Sequence, residues 1–133
     1  MSILLISRAV AIALAAAAGA ACAHTRTTRF DARAQLPSRT PAESIRLYGG
    51  QTPSCPYDEV GRVTAESRPF VSWGRVVGAA RKAAHDLGGD AIIGVRDRSR
   101  LSAPTIPTEG ATVSETAMLS GVVIRFKDSS CMT

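Results

Sequence analysis

The sequence predicts an α+β domain, a single helix packed on a small mixed β-sheet in the order β-β-α-β-β. Three observations predict it. Between Trp73 and Leu87 one apolar stripe recurs at helical spacing and ends at Gly88-Gly89. Two strand-like segments precede that stripe. Two more follow it, the first of them apolar on both faces. Runs of strands around one amphipathic helix make a two-layer α+β unit.

The first strand is expected over Ser44–Tyr48, where Ile45 and Leu47 alternate with polar residues and Gly49-Gly50 ends the run. Pro53 and Pro56 then stiffen the backbone around Cys55. The second strand is expected over Tyr57–Thr64. Val60 and Val63 break strict alternation, and a bulge near Gly61 would bring both to the core. Ser72 is placed as a helix N-cap. Trp73, Val76, Val77, Ala80, Ala83, Ala84 and Leu87 form the buried stripe, with Arg75, Arg81, Lys82, His85 and Asp86 away from it. His85 is expected in solvent and Trp73 in the core. Asp90–Arg96 reads as an interior strand. A polar stretch over Ser99–Glu115, with Pro104, Pro107 and Gly110, is long for a connection in so small a domain. The last strand is expected over Leu119–Lys127, with Val122, Ile124 and Phe126 inward and Arg125 and Lys127 outward.

The stretch before the domain has a different character. Residues 3–21 are almost wholly apolar and Ala-rich, with Arg8 the one charged side chain, as in a signal peptide of an exported protein. Gly19-Ala20-Ala21-Cys22 resembles a permissive lipobox, in which Cys22 becomes the lipidated residue of a bacterial lipoprotein. Gly19 stands where most such signals carry Leu. Ala21-Cys22-Ala23 offers the alternative, an A-x-A site that releases a soluble chain starting at His24. The expected organisation is a signal peptide over 1–21, a lipidated Cys22 with a flexible tether over 22–42, and a domain over 43–133. The 133-residue chain has a formal net charge of +5, and loss of residues 1–21 removes one Arg to leave +4. Arg26, Arg29, Arg33 and Arg39 supply much of that excess from the tether. Near a bilayer they can attract anionic head groups at about 1 kcal/mol each. Nucleic acid is not expected, since no basic patch is interleaved with aromatic residues.

Three cysteines are an odd number for an exported chain. If Cys22 is acylated, Cys55 and Cys131 remain, and an oxidising compartment favours their pairing. Two free thiols that never meet are the alternative.

From Ala80 to Arg96 the sequence A-R-K-A-A-H-D-L-G-G-D-A-I-I-G-V-R resembles the helix-to-strand signature of the YbjQ-like family. Ser120–Phe126 is similar to that family's closing strand. Tyr57–Val63 resembles a strand of small envelope lipoproteins, including the sensor lipoprotein of the Rcs stress pathway. The resemblance spans about residues 43–127 and rests on core and cap positions. It implies a sheet-and-helix fold, oligomers in cytoplasmic members and lipid anchoring in envelope members. The cytoplasmic members have been labelled heavy-metal-binding, but no ligand set carries over to this chain.

Catalytic patterns are missing. His24 and His85 are the two histidines, and no G-x-S-x-G elbow, Walker loop or H-E-x-x-H occurs. Asp58 and Glu59 are neighbours on a strand and face opposite ways. No enzyme and no cofactor are expected, and Cys55, Cys131, His85 and Met132 form no metal-ligand spacing. The expectation is therefore an exported, lipid-anchored envelope protein that binds another protein as a sensor or scaffold. Arg75, Arg81, Lys82 and the 99–115 loop would form its contact surface. A metal- or small-ligand-binding module and a structural homo-oligomer are the alternatives. Ala23, rather than Asp, after Cys22 favours the outer over the inner membrane, by resemblance to lipoprotein sorting signals.

Overall fold

In a computed structural model, residues 23–68, 71–97 and 117–132 are described. The expected signal peptide, Cys22 and the 99–115 loop lie outside them. The chain forms β1 (His24–Arg29), a 3-10 turn (Ala42–Ser44), β2 (Arg46–Leu47), β3 (Tyr57–Glu66), α1 (Trp73–Asp86), β4 (Ala91–Asp97), β5 (Met118–Phe126) and a closing 3-10 turn (Ser129–Met132). The five strands make one mixed sheet in the spatial order β1-β3-β5-β4-β2. The α+β class and the β-β-α-β-β core match the expectation. One strand, β1, is added ahead of it.

β1 corrects the expected tether. His24–Arg29 lies antiparallel along β3, from His24 opposite Glu66 to Arg29 opposite Gly61. No apolar residue marks this strand. Its backbone pairing and the β preference of Thr25, Thr27 and Thr28 hold it at the sheet edge. The rest of the supposed tether is also fixed, because Arg39 and Thr40 bind Asp90.

α1 covers one face of the sheet. Trp73, Val76, Val77, Ala80 and Ala84 pack on Val63 and Ala65 of β3, Ile92 and Val95 of β4, and Leu119 and Val123 of β5, with Ile45 closing the edge. The bulge in β3 falls between Glu59 and Gly61, and both Val60 and Val63 reach this core as expected. Ser72 occupies the N-cap position with extended backbone, although its hydroxyl makes no capping bond. At the other end the Gly89 amide donates to the Ala84 carbonyl and the Gly88 amide to that of His85, the paired bonds of a Schellman cap. Arg29 donates to the Asp86 carbonyl and Arg125 to that of Gly88, so cations gather where the helix dipole is negative.

Gly88 carries φ +80°, and a Cβ there would lie 2.7 Å from both the Cβ and the carbonyl oxygen of Leu36. Gly88→Ala is therefore expected to lower the urea midpoint by the equivalent of at least about 1–2 kcal/mol. Gly78→Ala has open space around it, and should raise stability by about 0.5–1 kcal/mol. Equal midpoints for the two variants would refute this account of the cap.

The second face corrects another expectation. Val122, Ile124 and Phe126 are turned away from the helix, while Leu119, Gly121 and Val123 face it. Ile124 and Phe126 join Ala91 and Ile93 in a second cluster, packed against Tyr48, Cys55, Tyr57, Cys131 and Met132. Cys55 and Cys131 are bonded as a disulfide, with Cα atoms 6.2 Å apart. This bond holds the closing turn as a flap over one half of the face. Arg125, expected outward, lies on the helix side and donates to the Pro37 and Gly88 carbonyls.

Candidate functional site

Two clusters of polar side chains stand out, one buried and one open. The buried cluster centres on Asp90, the residue between the helix cap and β4. Its carboxylate is nearly inaccessible and accepts four bonds. Arg39 donates from Nε to Oδ1 at 3.1 Å and from Nη2 to Oδ2, Thr40 Oγ1 donates to Oδ1 at 2.7 Å, and the Phe126 amide donates to Oδ2 at 2.8 Å. Burial pushes the Asp90 carboxyl up. The bonds from Arg39, Thr40 and Phe126, together with the Arg39 charge, outweigh that and hold it below the ordinary carboxylate range. Arg39 Nη2 also reaches the Phe126 carbonyl, and His85 Nδ1 donates to the Thr40 carbonyl at 2.8 Å. His85 is thus part of this fastening rather than solvated. With every acceptor position used, Asp90 is a structural joint between the N-terminal segment, the helix end and β5.

The open cluster lies on the half of the second sheet face that the flap leaves bare. Its positions follow from register. Arg26 of β1 pairs with Thr64 of β3, Thr64 with Ser120 of β5, and Ser120 with Arg96 of β4. In the next row Thr28 pairs with Arg62, and Arg62 with Val122. Paired residues share a face, so Arg26, Arg62 and Arg96 stand together around the Thr64 and Ser120 hydroxyls. The row crosses four strands, so at strand spacings of about 4.8 Å the backbones at Arg26 and Arg96 stand roughly 14 Å apart. Arg62, Gly94, Arg96, Ser120, Gly121 and Val122 line a shallow depression of about 320 Å³.

Arg96 reaches this face because of a bulge in β4. The pairing shifts between Ile93 and Arg96, where Gly94 has φ +60°. Strict alternation from Ile93 would send Val95 to the open face and Arg96 under the helix. The extra residue buries Val95 and brings Arg96 out beside Ser120. The side chains of Arg26, Arg62 and Arg96 have no hydrogen-bond or ion-pair partner among the described residues. Glu59 and Glu66 flank the cluster at its two ends and pair with none of the three.

The expected contact surface on the helix is arranged differently. Arg81 Nε donates to the Ile45 carbonyl at 3.0 Å, and Lys82 pairs with Asp86 one turn on. Arg75 also has a partner. All three are engaged with their own chain. Lys82 and Asp86, with Thr25, Thr27 and Arg29, line a groove of about 510 Å³ between α1 and β1. The disulfide removes Cys55 and Cys131 from any ligand set, and no cluster of three metal-binding side chains occurs among the described residues. Among the same residues no helix is long and apolar enough to cross a membrane.

The arginine cluster escaped sequence reasoning because its members come from three strands. The signal that could have led to it was Thr-Arg-Thr-Thr-Arg over 25–29, a β-branched run that carries Arg26 and Arg29 on opposite faces.

No family model matches the chain, and no curated protein matches it in sequence. Among solved structures, the crystal structure of a Francisella virulence factor, FvfA, in the orthorhombic form is similar to it. The TM-score is 0.51 and the identity 15%, over 80% of this chain and 99% of that one. At this identity the likeness concerns the fold alone.

Proposed function

We propose that this chain is an exported, lipid-anchored envelope protein, a distant YbjQ-like module without catalytic activity, which binds an anionic partner through the open sheet face. The observation that carries the reading is the trio Arg26, Arg62 and Arg96. Among the described residues three side-chain cations without partners share this face, two of them, Arg62 and Arg96, lining the depression, while the cations of the helix are occupied. Charge of this kind recruits partners of opposite sign and sets the rate of encounter. The disulfide supports export, since such bonds persist where thiols are oxidised. Cys22 carries the anchor, and the face serves a sensing or scaffolding role at the envelope.

A photo-reactive side chain in place of Thr28, beside Arg62, is expected to cross-link to an envelope component. The same group in place of Lys82, on the helix, is expected to capture much less. Equal capture at both positions, or capture at 82 alone, would return the recognition surface to the helix. The intact mass from a bacterial membrane fraction tests the anchor. A chain starting at Cys22 with acyl groups, its other thiols blocked until reduction, is the expected result. An unacylated chain starting at His24 would make the protein soluble. Edge-to-edge pairing of β1 between copies is disfavoured, because Arg26 and Arg29 charge that edge.

A further inference from the structure

We infer that the open sheet face is a seat for the phosphate head groups of an anionic bilayer, which lays the domain flat on the membrane that anchors it. This rests on the lipid-anchored, anionic-partner reading above and names its partner. Two independent observations carry it, the charge of the face and its place along the chain.

Of the four arginines between Cys22 and the 3-10 turn, two are consumed by the fold. Arg39 is bound to Asp90, and Arg29 donates to the Ala34 and Asp86 carbonyls. Arg26 and Arg33 are left; Arg26 stands on the sheet, where Arg62 and Arg96 add to it. The sequence of charges along a tether thus becomes a two-dimensional array on a fixed surface.

The second observation is the absence of slack. β1 begins at His24, two residues after Cys22, so only Ala23 separates the acylated position from the sheet. At about 3.3 Å per residue, Arg26 lies roughly 13 Å along the chain from Cys22. An acyl chain on Cys22 therefore holds the edge of the sheet at head-group level. Anchoring at a lipobox cysteine uses more than one acyl chain, so the basic face is not needed for attachment; it orients the domain against the anionic surface. Head-group phosphates accept well from guanidinium, whose fork matches their oxygens, and the half-buried Thr64 adds a hydroxyl donor.

Every described strand and α1 lie between His24 and Met132, so a chain starting at position 22 with Cys22→Ser keeps the whole fold and tests the face without the anchor. It should sediment with phosphatidylcholine vesicles containing phosphatidylglycerol, and not with phosphatidylcholine alone. The triple variant Arg26→Ala, Arg62→Ala, Arg96→Ala should bind about 100-fold more weakly, since each basic residue near such a surface contributes roughly 1 kcal/mol. A variant of the same net charge, Arg33→Ala, Arg46→Ala, Lys127→Ala, should bind within a few-fold of the parent. Circular dichroism confirms that both variants are folded. Equal loss in the two variants would overturn the proposal, because attraction would then follow net charge and not this face. Failure to bind the anionic vesicles would overturn it too, whether the face takes up inorganic phosphate alone or the position-28 cross-link identifies an acidic protein. In that last case the anionic-partner reading stands without the membrane.

Discussion

Asp90→Ala is expected to lower stability by about 3–4 kcal/mol, the effect of stranding a charge and a buried amide at once. For a domain of this size the melting temperature should fall by roughly 15 °C. Three donors lose their acceptor together, namely Arg39, Thr40 and the Phe126 amide. Arg39→Ala removes one donor and leaves the carboxylate with Thr40 and Phe126, so its effect should be smaller, about 2 kcal/mol. In the Asp90→Ala background the Arg39 substitution should change little, since the two share one interaction. Additive effects measured by calorimetry would show that Arg39 and Asp90 are fastened separately.

The same carboxylate gives the fold an acid limit. Its folded value is depressed below the ordinary 3.8. Between the two values the unfolded chain binds the proton more readily than the native one, so stability rises with pH there. The contribution is fully present above the unfolded value near 3.8 and is lost as pH falls through the folded value. The melting temperature of the parent should therefore drop more steeply below pH about 4 than that of Asp90→Asn. Parallel curves would place the acid sensitivity elsewhere.

Elements with a period of their own were legible in the sequence, and elements made by pairing were not. α1 shows a continuous stripe from Trp73 to Leu87 and a Gly-Gly stop, both properties of consecutive residues. The β3 bulge is likewise written locally, in the spacing of Val60 and Val63 around Gly61. β1 has no apolar residue, so apart from the β preference of its three threonines little in 24–29 distinguishes it from a solvated linker until β3 is there to pair with it. For β5 the difficulty is reversed. Both faces are apolar, and period two alone does not say which of them meets the helix. Val122, Ile124 and Phe126 were thus expected toward the helix; Ile124 and Phe126 are buried under the disulfide flap instead, and Val122 lines the open half of that face. The arginine face needs the β1–β3 register, the β3–β5 register and the shift at Gly94 together. Each is set by contacts distant in sequence, and no window of residues contains them.

Cys131→Ser should lower stability by about 3–4 kcal/mol. The bond links positions 76 residues apart, and a loop of that length restricts the unfolded chain by about 4.5 kcal/mol in the chain-entropy account. Against a total near 5–15 kcal/mol for a typical domain, this is a large share. The flap it secures also shields Phe126 and Ile124, and Met132 within it meets Thr40 of the Asp90 joint, with 3.5 Å between Oγ1 and Sδ. The two regions are therefore coupled, and Cys131→Ser combined with Asp90→Ala should not fold. Cys55→Ser should match Cys131→Ser, and the double cysteine variant should be no worse than either, because all three remove one bond. Reduction of the parent should reproduce them. A domain with this dependence keeps its structure where thiols are oxidised and loses much of its margin where they are kept reduced. If urea unfolding of the parent has the same midpoint with and without reductant, the bond contributes nothing, and the structural support for an exported protein goes with it.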